Sequence, residues 1–186
     1  MALELVRALA ASERDDDFHL ARLLLLIAAH AGDRTKNKPM EGLTKLAKLD
    51  FLLRYPNCLE RALLAANRPV DEAKVQDFER TTIESRMVRF RYGPWDHRYR
   101  RWVSLMAARG LITVGVIGKT VQIWLTDDGH DTAIAVSESL SHLTLADRAV
   151  IVSKRFGSKS GTGLKDFVYD TFPELTSMKW GEEILI

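Results

Sequence analysis

The sequence predicts a mainly α fold that carries one small β-hairpin, and three observations lead there. Capped segments with apolar residues at helical spacing fill most of the first 66 residues and resume after Thr126. Two β-branched strings, LITVGV and TVQIWLT, meet at Ile117-Gly118-Lys119, where glycine supplies the positive φ that a tight hairpin needs. A hydrophobic content of 46% with 28% charged residues, over 186 residues, suits a soluble globular chain with a core of its own.

Residues 1–11 are apolar enough for a short helix, and SERDDD connects them onward. Asp17 suits an N-cap for a helix over Phe18–Ala31, which Gly32 ends. GDRTKNKP is a loop. A second helix spans Leu43–Arg54, with Leu46, Leu49 and Leu53 as its apolar face and Lys45, Lys48 and Asp50 outward. Pro56 stops it. Leu59–Ala66 and Asp71–Arg86 are two further helical segments, split by Asn67-Arg68-Pro69. The second is charged along its length, as a solvated face is.

MVRFRY alternates apolar and basic residues like a short strand, and Gly93-Pro94 is the turn after it. Asp96 then caps a helix to Arg109 that Gly110 closes. Its spacing turns Tyr99, Trp102, Val103 and Met106 inward and leaves Arg98, Arg100 and Arg101 outside or flanking the core. After the hairpin, LTDDGHDTA opens a helix toward Ser139. Helices over Leu145–Arg155 and Leu164–Tyr169 follow, and the chain ends in WGEEILI.

Helix, helix, short strand, basic helix and two-stranded hairpin form the order of a winged helix-turn-helix core. The basic helix takes the recognition-helix slot and Gly118-Lys119 the wing tip. Residues 57–85 are a helical insertion. The expected organisation is an apolar segment and connector over 1–16, the winged-helix domain over 17–140, and a C-terminal helical extension and tail over 141–186.

Charge is unevenly spread. Between Arg86 and Gly110 lie seven arginines, Arg86, Arg89, Arg91, Arg98, Arg100, Arg101 and Arg109, and one carboxylate, Asp96, a local charge of +6. The whole chain is +2, which leaves −4 for everything else. Phe90, Tyr92, Trp95, Tyr99 and Trp102 interleave with these arginines. A guanidinium pairs bidentately with phosphate or carboxylate and stacks on rings. Three partners suit the stretch: a nucleic-acid backbone, an acidic protein, or the chain's own insertion through Glu72, Asp77, Glu79 and Glu84. Arg86, Arg89, Arg91, Arg98, Arg100, Arg101 and Lys119 are the candidate contacts.

Several classes find no support. The N-terminus lacks the basic start and apolar core of a signal peptide, and no apolar run reaches membrane-spanning length. One cysteine, Cys58, fits a reducing cytoplasm and the role of a small apolar side chain. The five histidines lack zinc-ligand spacing. GSKSGTGLK fails the register of a phosphate-binding loop, although its amides can meet an anion at a helix start. No nucleophile elbow or paired carboxylate is present, so no enzyme, metal or cofactor is expected.

The strings GLTKLAKLDFLLRYP, ESRMVRFRYGPWDHRYRRWVSLMAARGLI and SGTGLKDFVYDTFPEL together resemble the middle component of bacterial ABC-three-component systems, such as Lamassu-type phage defence. The resemblance spans roughly residues 20–175. Its most specific part is RYGPWD-x-x-Y followed by RGLI. It implies a non-catalytic winged-helix subunit that partners an SMC-like coiled-coil ATPase and an effector, often a nuclease, and bridges them to each other or to DNA. The ends of the chain fall outside the resemblance, and Leu3, Leu5, Val6, Ile184, Leu185 and Ile186 there are candidate docking residues. The alternative function is a dimeric winged-helix transcription regulator.

Overall fold

A computed structural model describes residues 15–80 and 86–185. The expected first helix, with Leu3 and Val6, lies outside the described residues, as do Glu84 and Ile186. The described fold is mainly helical with two small antiparallel sheets.

Helix α1, Asp16–Ala31, begins at Asp15, whose carboxylate accepts from the amides of Asp17 and Phe18. The cap is therefore Asp15 rather than Asp17, the first of three consecutive aspartates and the one that leaves both others to the positive end of the helix. Strand β1, Met40–Glu41, leads directly into α2, Gly42–Arg54. Tyr55 breaks the helix, and Pro56 sits in the first turn of α3, Pro56–Ala65, where its missing N–H leaves nothing unpaired.

Over the described residues 71–80, the helix expected for Asp71–Arg86 is absent. Two 3-10 turns, Val70–Ala73 and Asp77–Arg80, stand there, separated by Lys74 in a left-handed conformation. The segment has no apolar stripe to hold a helix against a core. Its carboxylates instead reach across to arginines of a later helix, as described below.

Strands β2, Val88–Phe90, and β3, Gly93–Trp95, form a hairpin. Its turn is Arg91-Tyr92, and Gly93-Pro94 belongs to the second strand rather than to the turn. Gly93 has φ +103, and a Cβ there would lie 3.2 Å from Cε of Lys48. Pro94 is tolerated because β3 has a strand neighbour on one side only.

Helix α4, Tyr99–Ala108, precedes β4, Ile112–Ile117, and β5, Thr120–Leu125. Gly118 at φ +63 makes the turn between the strands. β1 joins the free edge of β5, pairing Met40 with Ile123, so the three-stranded sheet runs β1-β5-β4. Thr126 then caps α5, Asp127–Glu138, by accepting from the amide of Gly129. Gly129 is required by contact: a Cβ would stand 1.9 Å from the Leu111 carbonyl oxygen. Helices α6, Leu143–Phe156, α7, Gly161–Thr171, and α8, Glu174–Ser177, complete the chain.

The C-terminal helices share the main core. α6 packs along α1, and α7 along α2, burying Val152, Phe156, Leu164 and Val168 beside Leu23, Leu26 and Phe51. The tail returns antiparallel to β2. The amide of Ile184 donates to the Met87 carbonyl, and that of Gly181 to Arg89. The Tyr55 hydroxyl donates to the Ile184 carbonyl at 3.1 Å and accepts from the Met87 amide at 2.8 Å. Among the described residues, no helix is long and apolar enough to cross a membrane.

Helix α2 is central rather than half-exposed. It touches α1, α3, α6, α7, β3 and β5, so it has no solvent face along its last ten residues. Lys45, Lys48 and Asp50, expected outward, are all buried.

Candidate functional site

The arginines of the 86–110 stretch divide into those bonded to the chain's own groups and a second group without an ion pair among the described residues. Of the first, Arg98 is turned inward. It places its guanidinium on Asp96, with bonds of 3.0 and 2.9 Å, and lies over the Trp102 ring at 4.7 Å. Asp96 also accepts from Arg54 at 2.8 Å. Arg54 and Arg22 meet at Asp50, each 2.7 Å away, and the Tyr99 hydroxyl donates to the same carboxylate at 2.7 Å. Arg22 also contacts Nδ1 of the buried His19 at 2.7 Å. Burial by itself would raise the Asp50 carboxyl, but the guanidiniums of Arg22 and Arg54 hold it down at about 2. This interior network ties α1, α2 and α4 together through charge-assisted bonds.

Others are spent on neighbouring carboxylates or carbonyls. Arg101 pairs with Asp16 and Arg109 with Asp17, both at the start of α1. Arg86 pairs with Glu183 of the tail. Arg89 donates to the Leu175 carbonyl at 3.1 Å and lies over Tyr169. Two of the insertion's carboxylates turn to a later helix rather than to the stretch. Glu72 pairs with Arg155 and Glu79 with Arg148, both on α6.

The second group faces solvent. Arg91 is exposed beside the Tyr92 ring, and Arg100 is exposed on α4 without an ion pair among the described residues. Lys119 is exposed at the β4–β5 turn. Arg100 and Lys119 line one cleft of about 760 Å³. The cleft also takes Tyr92 and Trp95 from the β2–β3 hairpin, the first turn of α2 over 42–44, and Ser160, Gly161, Thr162 and Lys165 from α7.

Local sequence explains this assembly. Ser160 caps α7 by accepting from the Gly163 amide at 3.0 Å, which leaves the amides of Gly161 and Thr162 without helical acceptors. A Cβ at Gly161 would come within 3.9 Å of the Lys45 backbone nitrogen, so the starts of α7 and α2 lie close together. α2 has no side-chain cap. Glu41, the one carboxylate among the described residues lining the cleft, accepts from Lys45 Nζ at 2.9 Å, and this bond holds it below the usual carboxylate range. Arg100, Lys119 and Lys165 therefore set the sign of the cleft. Lys165 also pairs with Asp166 at 3.1 Å.

Of the residues singled out from sequence, the structure brings Arg100, Lys119 and the SGTG segment to one place. It sends Arg98 inward and engages Arg86, Arg89 and Arg101 elsewhere. Ile184 is fully buried, so it packs in the core instead of offering a docking side chain, whereas Leu185 is 64% exposed. Lys165 carried no signal in the sequence. Tyr92 and Trp95 did, as rings set between arginines, but their approach to the α7 start depends on tertiary packing.

Burial pushes the Cys58 thiol up to about 12 and lowers the His30 imidazole to about 4. Both are neutral at pH 7. Among the described residues, no three histidine, cysteine or carboxylate side chains are grouped to hold a metal ion. No family model, curated protein or solved structure matches the chain.

Proposed function

We propose that this chain is a non-catalytic winged-helix subunit of an anti-phage defence complex, bridging an SMC-like coiled-coil ATPase to an effector, to DNA, or to both. The order α1, β1, α2, α4, β4, β5 supports the winged helix, although the short strand zipped to β5 is Met40–Glu41 and not the expected MVRFRY strand, which pairs with β3 in a separate sheet. This topology is the observation that carries the reading. In it, α4 is the recognition helix, Lys119 marks the wing tip, and α3 with the β2–β3 hairpin is an inserted layer between α2 and α4. The resemblance of the three strings to ABC-three-component middle subunits supplies the complex. RYGPWD-x-x-Y forms the β2–β3 turn, strand β3 and the entry to α4, beside the cleft.

Arg91 and Arg100 are exposed arginines of the stretch without an ion pair among the described residues, and arginine often dominates interfaces when a partner desolvates it. Co-expression with the coiled-coil ATPase encoded beside this chain tests the proposal. The expected result is a stable complex at moderate salt that Arg91→Glu with Arg100→Glu weakens by about 2–5 kcal/mol, through a partner carboxylate left unpaired. A chain that ignores the ATPase, purifies as a lone dimer and recognises one palindromic operator is the transcription regulator instead.

A further inference from the structure

We infer that the cleft between the β4–β5 turn, the β2–β3 hairpin and the start of α7 binds single-stranded nucleic acid. The inference rests on reading the Arg100–Lys119 face as an interaction surface, and it names the ligand of that face.

Three cations converge from three separate elements: Arg100 of α4, Lys119 of the hairpin turn and Lys165 of α7. Among the described residues, the carboxylate on the lining, Glu41, is already bonded to Lys45. An anionic ligand fits that balance, and a strand that follows the cleft passes successive phosphates to cations on different walls.

The rings decide which anion. Tyr92 is 48% exposed, and Trp95 is half-buried with part of its surface in the cleft. Trp95 is braced by Phe90 at 6.3 Å and by Tyr99 at 5.2 Å, so it is a fixed platform. A base finds a flat face there, whereas an acidic peptide has no group that needs one.

Shape separates single from double strand. A cleft of about 760 Å³ has the size of a small-ligand site and is walled by the β2–β3 hairpin and α7. A duplex is read by a helix that protrudes into its groove with free side chains. On α4 that supply is depleted, because Arg101 and the adjoining Arg109 are held by Asp16 and Asp17, and Arg98 is held by Asp96.

The test is fluorescence anisotropy of the full chain with a labelled oligothymidylate of about 12 nucleotides, titrated from about 50 to 200 mM salt. The expected result is binding that unlabelled single strand displaces and that a duplex of equal length displaces at least tenfold less well. Lys119→Ala with Lys165→Ala should lower the salt slope by about 1.4, two single-strand phosphate contacts. Tyr92→Ala, an exposed position that does not threaten folding, should weaken binding about tenfold by removing one stacked base. Absence of binding at the lowest salt overturns the inference, as does a double variant with the wild-type slope. Equal displacement by duplex or by polyglutamate also overturns it, in favour of a duplex or an acidic protein ligand. If the ATPase complex forms while the oligonucleotide fails to bind, only the inference falls. If the strand binds and the ATPase does not, only the proposed complex falls.

Discussion

Lys48 offers the sharpest test of the fold. The residue is 1% exposed, and among the described residues its ammonium donates to the Pro94 carbonyl at 3.3 Å. Burial, with the nearby charge of Arg89 adding to it, lowers its pKa from the ordinary 10.5 to about 7. A drop of that size corresponds to about 5 kcal/mol of penalty on the charged form. The sign follows from proton counting. Between pH 7 and 10.5 the unfolded chain holds a proton on Lys48 that the folded chain has released. Stability therefore rises with pH across that window, and the full penalty applies below it. From pH 6 to 9, Lys48 should contribute a gain of about 2–3 kcal/mol. Lys48→Met keeps the stem and removes the charge, so the variant should be more stable than wild type by about 2–5 kcal/mol at pH 6, the advantage shrinking toward pH 10. Urea unfolding of both proteins across this range measures the difference, in which all other titrating groups cancel. A variant that is no more stable at pH 6, or whose advantage does not shrink as pH rises, would show that Lys48 keeps its proton with full solvation and that the α2–β3 contact is misdescribed.

Asp50→Asn should destabilise by about 3–5 kcal/mol in denaturant melts, because it removes the anion on which Arg22 and Arg54 both depend. Trp102→Ala should cost about 3–5 kcal/mol, since the ring is fully buried and its Nε1–H donates to Asp16 at 3.0 Å. Removing residues 181–186 should lower thermal stability by about 2–5 kcal/mol, because it empties the Ile184 site and takes away the acceptor of the Tyr55 hydroxyl. An unchanged melting temperature would return the tail to the role of a free tether.

Elements defined by local chemistry were legible in the sequence. The Asp/Gly punctuation of α1, the inward set Tyr99, Trp102, Val103 and Met106, and the Gly118 hairpin all depend on neighbours within a few residues. The burial of α2 was not legible. Lys45, Lys48 and Asp50 sit where a two-sided helix shows polar residues to water, and periodicity takes no account of α7 and β3 covering that side. The same limit hid the cleft. Lys165 follows Arg100 by 65 positions, and only the packing of α7 on α2 brings them to one opening.

The two fates of the arginines have one physical origin. Asp50 and Asp96 lie inside the junction of α1, α2 and α4, and a carboxylate taken out of water requires more than one hydrogen-bonded cation to hold it there. Arg22, Arg54 and Arg98 satisfy that demand, and with Asp16 and Asp17 drawing Arg101 and Arg109, α4 is fixed on α1 along its length. A basic sequence therefore does not become a basic surface of the same extent. What stays exposed without an ion pair, among the described residues, is the smaller set of Arg91, Arg100 and Lys119, near Trp95, whose ring packs on Tyr99 of the network. The contrast is testable in one comparison. Arg98→Glu should unfold the chain by setting a third carboxylate beside Asp96, whereas Arg100→Glu should leave the unfolding free energy within about 0.5 kcal/mol of wild type and change binding alone. If both substitutions altered binding equally and stability not at all, the network would not be the scaffold that positions the cleft.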